Sequence, residues 1–96
     1  AGNDTLDGGA GSNFLRGEDG NDSIAGGSAF DDIHGNAGDD TASGGLGDDW
    51  VVGGKDQDIL YGNEGADLIL GNLGEDTLVG GVGDDIVRGG QGNDSL

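Results

Sequence analysis

A chain of 96 residues with 31% hydrophobic residues, four aromatics and 25 glycines is one small domain or a piece of one, and lacks the material for a large apolar core. Its formal charge of −17, from 20 acids against three bases, excludes nucleic acid and anionic membrane surfaces as partners and points to cations. No run is long or apolar enough to span a bilayer, and the absence of cysteine leaves the redox compartment open.

Glycine-rich acidic chains of this composition are ordinarily disordered, but the order of the residues overrides composition. After residues 1–7, the chain runs from Gly8 as nine complete nonapeptides and eight trailing residues, without an insertion or deletion. The nonapeptides open on Gly8, Gly17, Gly26, Gly35, Gly44, Gly53, Gly62, Gly71 and Gly80, and Gly89 opens the trailing residues. The first, second and fourth positions hold all 25 glycines. In chain order the sixth position reads Asp4, Asn13, Asp22, Asp31, Asp40, Asp49, Asp58, Asp67, Asp76, Asp85 and Asp94. The eighth is always apolar: Leu6, Leu15, Ile24, Ile33, Ala42, Val51, Leu60, Ile69, Leu78, Val87 and Leu96. Departures fall mainly in the N-terminal half and one central repeat, where Glu18, Ala29, Asn36 and Asp56 stand in place of turn glycines. Repeats from Gly62 onward lie closest to the consensus G-G-x-G-x-D-x-U-x, as in GGVGDDIVR at residues 80–88.

This nonapeptide resembles that of the RTX (hemolysin-type calcium-binding) family, and the resemblance covers the whole chain. It implies an all-β fold, a parallel β-roll in which the GGxGxD segment is a calcium-binding turn and the last three residues are a short strand. It further implies a module of secreted enzymes, toxins or adhesins that are exported unfolded through bacterial type I systems.

The residues lead to the same architecture by their own chemistry. Glycine-rich segments suit tight turns, and two nonapeptides, 18 residues, return the chain to its starting direction. Strands 18 residues apart then pair in parallel about 4.8 Å apart, as a two-sheet β-solenoid with turns along both edges. The eighth-position residues are expected to fill the interior between the sheets. A helix core is excluded, because a spacing of nine turns successive residues to opposite helix faces.

The winding sorts the sixth position into two ladders: Asp4, Asp22, Asp40, Asp58, Asp76 and Asp94 on one edge, Asn13, Asp31, Asp49, Asp67 and Asp85 on the other. Carboxylates stacked about 4.8 Å apart repel by roughly 1 kcal/mol per neighbour even in water. A hard dication between successive turns removes that repulsion, and carboxylates with backbone carbonyls form the all-oxygen shell that Ca²⁺ prefers over Mg²⁺. The ladders have nine gaps, so up to about nine Ca²⁺ ions are expected, with all eleven sixth-position residues as ligands. Asn13 keeps an oxygen but lacks the charge, which weakens its gap.

Enzymatic chemistry finds no support. His34 is the only histidine, so no Cys/His dyad exists and a Ser/His/Asp set has no geometric basis. Acid pairs such as Asp39–Asp40 and Asp84–Asp85 repeat, which suits metal binding and solvation better than glycoside hydrolysis. The glycines lack the lysine and helix of a phosphate-binding loop. The reading is a non-enzymatic calcium module over residues 1–96, a piece of a larger secreted or cell-surface protein. Its alternative is a structural or adhesive element of an extracellular fibre or surface layer. An ice-binding surface is a remote third reading, because Ile59 breaks the outward column Thr5, Ser23, Thr41, Thr77, Ser95. One sheet should carry outward apolar columns, Trp50, Val52, Leu68, Leu70 and Ile86, ending beside Arg88. These are either good strand formers or a contact surface of about 300 Å² for the rest of the parent chain or another copy.

Overall fold

The computed structural model describes residues 2–96, which form ten strands and, among the described residues, no helix. The strands are β1 (Thr5–Asp7), β2 (Asn13–Asp19), β3 (Ser23–Gly27), β4 (Asp31–Ala37), β5 (Thr41–Leu46), β6 (Trp50–Gly54), β7 (Ile59–Glu64), β8 (Leu68–Leu73), β9 (Thr77–Val82) and β10 (Ile86–Gln91). Odd strands pair in the order β1-β3-β5-β7-β9, and even strands in the order β10-β8-β6-β4-β2. Every pairing is parallel, and the register advances by 18 residues, as in Leu6↔Ile24 and Val51↔Ile69. The fold is thus the two-sheet parallel β-solenoid expected from the nine-residue period, wound into a slab of 29 × 28 × 13 Å.

The core is the single file of eighth-position side chains. Ile24, Ile33, Ala42, Val51, Leu60, Ile69 and Leu78 are buried, and Leu6, Leu15 and Val87 are partly buried against them. Leu96 departs from the expectation: it is 74% exposed, lying past the isolated bridge Thr77↔Ser95 rather than in a strand with neighbours on both sides.

Positive φ falls at the second and fourth repeat positions and nowhere else among the described residues. Glu18, Asn36, Asn63 and Asn72 adopt it at position two, and Ala29 and Asp56 at position four. The residues that replace glycine therefore keep a left-handed backbone, which costs them more than it costs glycine.

The face of the even-numbered sheet carries the apolar columns. Trp50 and Ile86 are 51% and 54% exposed, and Val52, Leu68 and Leu70 between them are half-buried. At the N-terminal end of this face Asp32 lies 2.9 Å from His34 and 3.5 Å from Arg16, so His34 is an outward residue paired on the surface.

Candidate metal centre

Each turn delivers its sixth-position residue to the edge at or just before the start of the next strand, and the 18-residue register stacks these residues into the two expected ladders. Asp22, Asp31, Asp40, Asp49, Asp58, Asp67 and Asp76 are buried; Asn13, Asp85 and Asp94 are partly so, and Asp4 is exposed. Buried carboxylates demand partners.

One oxygen of each has a partner. The N–H of Asp22 donates to Oδ1 of Asp40 at 2.8 Å, that of Asp40 to Asp58 at 2.9 Å, and that of Asp58 to Asp76 at 2.9 Å. On the other edge the N–H of Asp31 donates to Oδ1 of Asp49, that of Asp49 to Asp67, and that of Asp67 to Asp85. Every such bond joins one coil to the next. The second oxygen has no partner: Oδ2 of all seven buried ladder aspartates is sealed from solvent and accepts nothing among the described residues.

The first glycine of the repeat makes room for that oxygen. A Cβ on Gly17, Gly35, Gly53 or Gly71 would collide with Oδ2 of Asp22, Asp40, Asp58 or Asp76 in the same turn, and Gly26, Gly44 and Gly62 stand likewise to Asp31, Asp49 and Asp67. At Gly17, Gly26, Gly62 and Gly71 the same space is also approached by the carbonyl oxygen of the first glycine in the next coil. A buried anionic oxygen without a donor, beside a carbonyl and with no nitrogen donor nearby, fits a hard oxygen-seeking cation. Asn13 differs: its Nδ2 takes the place of Oδ2 and donates to the Gly11 carbonyl at 3.1 Å and to Oδ1 of Asp31 at 3.1 Å.

Loss of water raises the carboxyl pKa of Asp40, Asp67 and Asp76 above the ordinary value, and takes Asp49 to about 6 and Asp58 to about 7. The hydrogen bond from the preceding ladder residue opposes the shift, and neighbouring carboxylates add to it. Unaided, the folded ladders resist their own ionisation.

A second set of side chains was not anticipated from the sequence. At position five, Oδ1 of Asn3, Asn21, Asp39 and Asp48 accepts the N–H of Asn21, Asp39, Gln57 and Ala66 respectively, at 2.8–2.9 Å. These bonds run to the following coil, opposite in sense to the sixth-position bonds. Recurrent Asn or Asp at position five was the available signal, because such side chains readily bond nearby backbone.

A family model described as RTX calcium-binding nonapeptide repeat (4 copies) matches residues 1–33, 26–60 and 61–96. No curated protein and no solved structure matches the chain.

Proposed function

The chain belongs to the RTX calcium-binding nonapeptide-repeat family, and from that premise we propose that it is a calcium-dependent folding module of a secreted protein, with no catalytic role. Its repeats bind calcium. We assign the sites to the gaps between successive turns on each edge, up to about nine in all, with Asp4, Asn13, Asp22, Asp31, Asp40, Asp49, Asp58, Asp67, Asp76, Asp85 and Asp94 as the side-chain ligands.

The observation that carries this reading is the row of seven buried Oδ2 atoms without a donor. When bound, calcium supplies the positive charge that such a row lacks. The chain supplies the rest: Oδ1 fixes each carboxylate to the preceding coil, the first glycine leaves room beside Oδ2, and the backbone turn brings up carbonyls. A core one side chain wide cannot by itself offset the ordering of so glycine-rich a chain. Ligand bound only to the folded state supplies the difference by mass action. Low cytosolic calcium would keep the chain unfolded for export, and extracellular calcium would fold it.

The test is circular dichroism of the chain in excess chelator and then in millimolar Ca²⁺. The expected result is a change from a disordered to a β spectrum; a β spectrum that persists unchanged in chelator overturns the proposal. The exposed Trp50 and Ile86, with Val52, Leu68 and Leu70, support a contact between this sheet and the rest of the parent chain or another copy. Sedimentation of the Ca²⁺-loaded chain beside a Trp50→Ser, Leu68→Thr variant checks the latter.

A further inference from the structure

The turns are not equivalent, and the difference traces to one missing glycine on each edge. In the regular turns the position-four N–H donates to the position-three carbonyl of the next coil: Gly20 to Ala37 at 3.1 Å, Gly47 to Glu64 at 3.1 Å, Gly65 to Val82 at 3.0 Å and Gly74 to Gln91 at 3.0 Å. Among the described residues from Gly11 onward the corresponding bond is absent from Gly11 to Ser28, Ala29 to Leu46, Gly38 to Lys55 and Asp56 to Leu73. These four gaps are the ones that border a turn with a side chain at position four.

The cause is steric. A Cβ on Gly20, Gly38, Gly65, Gly83 or Gly92 would strike the carbonyl oxygen of the position-four residue one coil earlier. Ala29 and Asp56 carry that Cβ and sit at φ of 68° and 76°, where the glycines at 20, 38, 47, 65, 74, 83 and 92 sit between 108° and 124°; Gly2 and Gly11, in the first coil, sit at 93° and 83° without one. Pairing gives way at the same places. Strands β3 and β6 stop at Gly27 and Gly54, whereas Asp19↔Ala37, Leu46↔Glu64, Glu64↔Val82 and Leu73↔Gln91 extend the pairing to position three elsewhere. The Gly38 N–H turns instead to Oδ2 of Asp56 at 3.1 Å.

We propose that Ala29 and Asp56 divide the calcium gaps of this roll into two classes. The four gaps that border the 26–31 and 53–58 turns form a weak class, and the remaining gaps form a tight one. This inference rests on the calcium reading above. A cation held between two turns depends on their carbonyls being fixed in advance, and each altered turn has lost its position-four bond on both sides, keeping toward the preceding coil the bonds from Ser28 N–H to the Gly9 carbonyl and from Lys55 N–H to the Asn36 carbonyl. The carbonyls of Ser28, Leu46, Lys55 and Leu73 are no longer held by a position-four N–H. The weak class is expected to bind about tenfold less tightly, the scale of one lost hydrogen bond.

Calorimetric titration with Ca²⁺ tests this on the intact chain. The unsubstituted chain should give two resolved classes, and Ala29→Gly with Asp56→Gly should move the weak gaps to the tight affinity, all but the Asn13–Asp31 gap, where Asn13 lacks the charge. Asp56→Ala separates charge from shape: it keeps the Cβ, loses the carboxylate, and should retain the weak class. Gly65→Ala approaches from the other side, since its Cβ would strike the Gly47 carbonyl, and should move two gaps from the tight to the weak class. A single class in the unsubstituted chain, or an unchanged titration in the double glycine variant, overturns the inference while leaving the calcium reading intact. No calcium uptake by any of these chains overturns both.

Discussion

Asp67 separates two tasks between its two carboxylate oxygens. Oδ1 accepts the N–H of Asp49 at 2.8 Å and ties two coils together, while Oδ2 is the buried oxygen left for a cation. Asp67→Asn should keep the first task and weaken the second, so its calcium midpoint should rise while its fold at saturating calcium persists. Asp67→Ala loses both and leaves the Asp49 N–H without a carboxylate acceptor, an additional cost of about 1–3 kcal/mol. Asp4→Ala lies at the exposed start of its ladder and borders one gap, so its midpoint shift should be the smaller. Equal shifts for Asp4→Ala and Asp67→Ala in a calcium titration followed by circular dichroism would argue against shared sites. Gly71→Ala tests the room beside the carboxylate: its Cβ would meet Oδ2 of Asp76, and the variant should need more calcium to fold. The ladder residues could be read from the sequence because their period is strict. The reason for the first glycine could not, because that position looked like a turn former and yet lies outside the positive-φ set. Its role depends on a carboxylate five residues ahead turning back toward it.

At the scale of the strand, the eighth position decides what is inside. Leu60 is fully buried in β7 between Ala42 of β5 and Leu78 of β9, and this interior was legible because the eighth position is the one that is apolar in every repeat. Leu60→Ala should cost about 2–5 kcal/mol in a thermal or denaturant transition at saturating calcium. A loss below 1 kcal/mol would mean that the sheets close over the deleted side chain. The early ends of β3 and β6 were not legible. They follow from the approach of a Cβ to a carbonyl 18 residues earlier, a contact made only once the coils have stacked. The pairing of His34 with Asp32 has a similar origin, since strand alternation places both on one face but does not set their distance. Leu96 shows the limit of periodicity: it is in phase with the core, yet a side chain is buried only where strands lie on either side of it.

For the whole molecule, acids are gathered at the edges of a slab 13 Å thick, and the same burial that shapes the sites governs how the metal-free chain responds to pH. Burial raises the Asp58 pKa to about 7 and that of Asp49 to about 6, and Asp40, Asp67 and Asp76 shift in the same direction. A carboxyl whose pKa is higher folded than unfolded binds more protons in the folded state, so the fold loses stability as pH rises. That contribution is fully present below the unfolded value near 3.8 and is lost as pH rises through about 6 to 7. Protons and calcium therefore do the same work on these ladders, each removing charge that the folded edge cannot hold unaided. In chelator, lowering the pH from 8 toward 4.5 should increase the β signal. In calcium, the folding midpoint should fall as the pH is lowered through the same window, because protons already stabilise part of the folded population while the unfolded and calcium-loaded states both stay ionised. The two trends have the same sign, toward the folded state, and one cause. Circular dichroism across this pH range, with and without calcium, checks both. A chelated chain whose spectrum does not change between pH 8 and 4.5, together with a calcium midpoint independent of pH, would show that the buried carboxylates do not control folding.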